Sequence, residues 1–138
     1  MIDVAYIALG SNIGDRHAHL AGAREALARI SGSALIGESS IEETEPLGGL
    51  PQDKYLNQMI ALETRLSPRE LLGRLHEIER SLGRTRHERW ASRTIDLDIV
   101  RFERQVVDEP DLHVPHAELP NRDFWQRELA ELRGDTTP

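Results

Sequence analysis

The chain has 138 residues, of which 38% are hydrophobic and 30% charged, with a formal net charge of −7 and no cysteine. That length suits one domain, residues 1–138, around one core, and the composition is that of a folded protein rather than a disordered one. Disulfides, thiolate catalysis and cysteine-held metal are excluded, the acidic balance argues against a general nucleic-acid binder, and no stretch approaches the roughly 20 apolar residues of a membrane span.

Residues Val4 to Leu9 form an apolar run ending in Gly10-Ser11-Asn12, which predicts a buried strand. Asp15 then caps a helix from about Arg16 to Ile30, with Leu20, Ala23, Leu27 and Ile30 at helical spacing and Ser31-Gly32 as its stop. A second strand is expected over about Ala34 to Glu43. The segment Thr44 to Lys54 carries Pro46, Gly48-Gly49 and Pro51 and reads as a loop. A third strand follows from Tyr55 to about Arg65. Ser67-Pro68-Arg69-Glu70 starts the second helix, because Ser67 can cap, Pro68 suits the first turn and Glu70 completes a capping box. Leu71, Leu72, Leu75, Ile78 and Leu82 give that helix its apolar stripe as far as Gly83.

Thr94 to Phe102 is the fourth predicted strand, with Ile95, Leu97 and Ile99 on one face and Asp96, Asp98 and Val100 on the other. The order βαββαβ matches an α+β, ferredoxin-like plan with an antiparallel sheet and both helices on one face. Beyond Glu103 the expectation is a proline-punctuated loop region and a terminal helix from Asn121 to Arg133, a C-terminal loop and helix extension of the core.

The chemistry concentrates around the fourth strand. Residues two apart in a strand share a face, so Asp96 and Asp98 project together with Cα atoms roughly 6.6 Å apart, close enough to share a metal site. In the absence of cysteine, oxygen ligands favour a hard cation such as Mg²⁺. An Asp-x-Asp standing alone is more often a solvated pair on a sheet face. Its surroundings are unusual, however. Between Gly83 and Arg93, Arg84, Arg86, Arg89 and Arg93 stand against Glu88 alone, a local charge of +3 in a chain of −7, so the remainder carries −10.

Arginine forks match phosphate oxygens, and the same four residues could also serve as ordinary ion pairs for the acidic surface. Trp90, in the same segment, suits either a core plug or a stacking platform for a planar ring. Tyr55 and Asn57 share a strand face with Met59, and the Asn57 amide can pair with a heterocycle edge or with backbone. His116 and Arg122, in the final loops, could complete a cationic wall.

Four blocks in order along the chain resemble the 6-hydroxymethyl-7,8-dihydropterin pyrophosphokinase family. They are Ala8-Leu9-Gly10-Ser11-Asn12; Glu43 to Gly48 with Tyr55-Leu56-Asn57; Gly83 to Val100; and Val114-Pro115-His116 with Asn121-Arg122-Asp123-Phe124. The third is the most specific, with Arg-x-Arg-x-x-Arg-Trp followed by Arg-Thr-Ile-Asp-Leu-Asp-Ile. The resemblance implies transfer of pyrophosphate from ATP to the hydroxymethyl group of the pterin, giving AMP, in folate biosynthesis. By position it implies two Mg²⁺ ions on Asp96 and Asp98, and a catalytic set of Arg84, Arg93, His116 and Arg122. It implies ATP binding by Glu79, Arg84, Arg86, Arg89, Trp90, Arg93, Ile99, His116 and Arg122, and a pterin pocket of Thr44, Pro46, Leu47, Tyr55, Asn57, Trp90 and Phe124.

The lack of an apolar span and of a basic then apolar amino terminus predicts a cytoplasmic protein without membrane or nucleic-acid partners, the resemblance makes ATP and the dihydropterin its partners, and a monomer is expected. Ala91-Ser92 stand where the family usually has Gly-Pro, Trp125-Gln126-Arg127-Glu128 replace an apolar run, and the C-terminal segment is shorter than usual. Two rival readings are a family-shaped binding protein that holds pterin or nucleotide without turnover, and an unrelated metal-dependent nucleotide hydrolase.

Overall fold

The computed structural model describes residues 2–45, 54–83 and 95–134. Its central sheet is antiparallel, in the order β2-β4-β1-β5 with β3 paired to β4. The strands are β1 (Asp3–Ser11), β2 (Ser33–Glu38), β3 (Glu42–Thr44), β4 (Tyr55–Thr64) and β5 (Asp96–Phe102). Strands β1 and β4 are the longest and lie at the centre, which is why both are buried along most of their length.

Helices α1 (Arg16–Ala28) and α2 (Pro68–Ser81) cover one sheet face. There Leu20, Ala23 and Leu27 of α1 and Leu71, Leu75 and Ile78 of α2 pack with Ala5, Ile7, Leu9, Ile60, Leu62, Leu97 and Ile99. Both helix starts form as their sequences dictate. The Asp15 side chain accepts from the Ala18 N–H. Ser67 and Glu70 close a reciprocal capping box, a cap worth about 1 kcal/mol. Glycine at φ 66° and 77° turns the chain at Gly14 and Gly32, where a side chain would be strained.

The opposite sheet face is covered as well. Helix α3 (Asp123–Arg133) buries Trp125 and Leu129 against Tyr6, Ala8, Met59, Ala61 and Val100. The C-terminal extension therefore makes a third layer rather than an appendage. Its attachment is partly polar: both Glu131 oxygens accept from the Ser40 N–H and hydroxyl, and Arg133 pairs with Glu103.

Two other expectations change. The stretch Ala34 to Glu43 is not one strand, because at Ser39 the ladder keeps only the bond from the Ser39 N–H to the Met59 carbonyl and the side chain takes the other. Its hydroxyl accepts from the Met59 N–H, its carbonyl accepts from the Gln58 amide, and pairing resumes at Glu42. The region beyond Glu103 is not wholly loop, since β6 (Val107–Glu109) and β7 (Leu112–Val114) form a hairpin. Leu112 and Val114 face the helix-side core, while Asp111 and Glu109 bind Arg69 of α2.

Strand β5 alternates as its sequence predicts and then breaks step. Ile7 pairs with Ile99 and Tyr6 with Arg101, leaving Val100 as an extra residue. This bulge lets Ile99 and Phe102 both reach the helix-side core while Val100 packs under α3.

Candidate active site

The site grows from three adjacent strands on the α3 side of the sheet. Asp96 lies opposite Gly10 and Asp98 opposite Ala8, while on the other edge of β1 Gly10 lies opposite Asn57 and Ala8 opposite Met59. The aspartates thus share a face with Asn57, with only two small residues between them. A Cβ on Gly10 would stand 3.4 Å from Asn57 Oδ1 and 3.5 Å from a Tyr55 ring carbon. Glycine here lets the Asn57 amide and the Tyr55 ring lie close against β1 and leaves a recess free of side chain between them and the carboxylates of β5. Next in the row, Asn57 Nδ2 donates to Thr44 Oγ1 at 2.6 Å, so the Asn57 Oδ1 acceptor faces the Gly10 recess.

His116 follows the β6–β7 hairpin and is tied to β5 by its N–H, which donates to the Val100 carbonyl at 2.8 Å. Its ring orientation is set by a second bond. The Glu118 N–H donates to Nδ1 at 3.0 Å, which makes Nδ1 the acceptor and leaves the neutral ring's proton on Nε2. That nitrogen stands 4.0 Å from Asp98 Oδ1. Burial pushes the His116 pKa below the usual histidine range; the Asp98 carboxylate opposes the shift and Arg122 adds to it. Arg122, just before α3, lies with its guanidinium carbon 4.3 Å from the centre of the Trp125 ring. Among the described residues no ion pair holds it. Phe124 packs partly buried beside Trp125, ring centres 6.2 Å apart.

Among the described residues the structure brings Asp96, Asp98, Thr44, Tyr55, Asn57, His116, Arg122 and Phe124 to the α3 side of the sheet. Two expected residues lie elsewhere. The Ile99 side chain is buried in the helix-side core, so only its backbone is available to a ligand. Glu79 is 4% exposed and its Oε2 accepts from the Leu97 N–H at 2.8 Å, which fixes the strand between the two aspartates. Pro46, Leu47, Arg84, Arg86, Arg89, Trp90 and Arg93 lie outside the described residues.

Among the described residues no group of three or more His, Asp or Glu side chains converges as a closed metal cage. An open pair of carboxylates over a recess is what Mg²⁺ requires, because it keeps water and substrate oxygens in most of its coordination sphere. The residue that sequence reasoning undervalued is Trp125. Its helical neighbours looked polar, and only the packing of α3 shows that its ring touches both His116 and Arg122.

The fold and this face define a small α+β protein with two carboxylates, an amide, an imidazole and a guanidinium on one side of its sheet. The sequence pattern of the 7,8-dihydro-6-hydroxymethylpterin-pyrophosphokinase (HPPK) family matches residues 6–134, and the chain belongs to that family. It is 44% identical to the 2-amino-4-hydroxy-6-hydroxymethyldihydropteridine pyrophosphokinase of Bacillus subtilis (strain 168) over 132 residues, covering 96% of this chain and 79% of that one. The Haemophilus influenzae and Pseudomonas aeruginosa proteins of the same name are each 39% identical, over 95% and 98% of this chain and 82% and 83% of theirs.

Proposed function

We propose that the protein transfers pyrophosphate from ATP to 6-hydroxymethyl-7,8-dihydropterin, releasing AMP and the pterin diphosphate, as a step of folate biosynthesis. The observation that carries this reading is the row Asp96–Gly10–Asn57, which sets a metal-binding edge and a heterocycle-binding edge on either side of one recess. A simple nucleotide hydrolase has no use for the second edge. The strand order and the two helices sharing a face fit a ferredoxin-like βαββαβ core within a single domain, with β3, the hairpin and α3 added.

In this reading Asp96 and Asp98 would hold two Mg²⁺ ions, which would supply charge neutralisation for the triphosphate. Arg122 and His116 flank the phosphates opposite the aspartates. His116 Nε2–H donates a hydrogen bond to a phosphate oxygen, and its proximity to Asp98 favours the protonated ring once anionic phosphate arrives. Arg84 and Arg93 complete the cationic wall, and Arg86, Arg89 and Trp90 contribute to ATP binding from the same segment. The pterin lies with its edge on Asn57 and Tyr55, beside Thr44, and its ring against Phe124, with Pro46, Leu47 and Trp90 closing the pocket. Its hydroxymethyl oxygen attacks the β-phosphorus, and AMP leaves. Positioning and charge neutralisation supply most of the acceleration, and no covalent enzyme intermediate forms. We place the enzyme in the cytoplasm as a monomer; none of the described helices is long and apolar enough to cross a membrane.

The test is direct: ATP, Mg²⁺ and 6-hydroxymethyl-7,8-dihydropterin are incubated with the protein and the nucleotide products separated. AMP formed only when pterin is present is the expected result. ADP, or AMP independent of pterin, would replace this reading with a kinase or a hydrolase.

A further inference from the structure

We infer that Trp125 is a positioning residue for the transfer reaction, holding Arg122 and His116 in their phosphate-facing orientations from beneath. This rests on the assignment of those two residues to the phosphates.

Trp125 is 2% exposed and belongs to the apolar cluster under α3 that also holds Tyr6, Ala8 and Val100. Ala8 is the residue paired with Asp98, so the cluster that holds the indole lies next to the aspartate that His116 approaches. Its ring meets His116 edge-on, with centroids 4.9 Å apart at an interplanar angle of 81°, and the Arg122 guanidinium lies 4.3 Å from its centre. One buried side chain thus touches both the imidazole and the guanidinium.

Each group needs such a support. Among the described residues Arg122 has no carboxylate partner, and a free arginine side chain samples many rotamers. A guanidinium on an indole face is held by cation–π attraction while its N–H groups stay available in the ring's periphery. For His116, the Glu118 N–H fixes Nδ1 and the Trp125 contact fixes the ring plane, and together these leave Nε2 toward Asp98. A leucine or methionine at this position would keep an apolar side chain in the core, with a cavity beside it, but could not orient either group. Misplacement of a reacting group by about 1 Å can cost about 10²-fold in rate, so the effect should appear in kcat.

The experiment compares wild type, Trp125→Phe and Trp125→Met, all with turnover normalised to folded protein. The phenyl ring has a weaker quadrupole and a shorter reach than indole, and methionine keeps apolar bulk with no ring. The expected order is a kcat lower by about threefold in W125F and by about thirtyfold in W125M, with the KM for pterin unchanged. A residue that merely fills the core would lower melting temperature without this graded loss per folded molecule. W125F at the wild-type rate, or W125M no slower than W125F, overturns the inference; if W125M does not fold, W125F alone decides it.

A second readout does not depend on turnover. At fixed pH the His116 Cε1–H proton resonance, displaced by the indole ring current in wild type, should move in W125F. An unmoved resonance overturns the inference even if the wild type forms no AMP, whereas absence of AMP with a moved resonance counts against the proposed activity instead.

Discussion

Glu128 lies on α3 with 1% exposure, its carboxyl group beside that of Glu42. Burial pushes its pKa from 4.5 up to about 9, with Glu42 of β3 and Glu131 of α3 adding to the shift and Arg127 opposing it. Below pH 4.5 the group is protonated in both folded and unfolded chains and has no effect on the balance. Between 4.5 and about 9 the unfolded chain ionises while the folded one keeps its proton, so stability falls as pH rises. The slope is at most about 1.4 kcal/mol per pH unit, which sets a ceiling of about 5 kcal/mol by pH 8 before relaxation and water entry reduce it.

Glu128→Gln keeps the shape of the neutral acid and cannot ionise. Urea unfolding of both proteins at pH 5, 7 and 9 should show nearly equal stability at pH 5 and an advantage for E128Q that widens with each step. Parallel curves, with an advantage that changes by less than about 1 kcal/mol across the range, would refute the reasoning, because the group would then titrate alike in both states.

Asp96→Asn and Asp98→Asn remove charge without volume from a half-buried strand face, so each should lower pterin-dependent AMP formation by about 10²-fold or more while the melting curve stays near wild type. Full activity in either variant would remove the metal assignment. Asn57→Ala breaks the bond to Thr44 and removes the amide at the recess, so the KM for pterin should rise about tenfold, the equivalent of one ~1.4 kcal/mol hydrogen bond, with the KM for ATP unchanged. An equal rise for both substrates would place Asn57 outside the pterin edge. Ser67→Ala opens the capping box of α2, far from the recess, and should cost about 1 kcal/mol, a few degrees in melting temperature, at unchanged turnover. A loss of activity with no change in melting would contradict this purely structural role.

Much of this architecture is legible in local sequence because local physics decides it. The caps at Asp15 and Ser67 and the alternation of Ile95, Leu97 and Ile99 against Asp96 and Asp98 depend on neighbours within a few residues, and all form as read. The break at Ser39 does not follow the same logic, since it depends on Met59 and Gln58 from another strand. The hairpin beyond Glu103 runs through prolines and charges, and its apolar residues join the core through contacts with another strand, β7 lying against β5, while Arg69 of α2 pairs with Glu109 and Asp111.

By itself the sequence determines the family, through ordered blocks of charged residues that few other chemistries need, and the shared face of the aspartate pair, through the two-residue period of a strand. Tertiary packing decides what that face is made of. Register between β5, β1 and β4 sets Asn57 across Gly10 from Asp96, a relation between positions 10, 57 and 96 that no local pattern encodes. Packing of α3 against the same face carries Trp125 beneath His116 and Arg122, and buries Glu128 where its charge is no longer tolerated. The physical reason is the same in each case: periodicity tells which side of its own element a residue occupies, while only the assembled layers determine which other residues share that side.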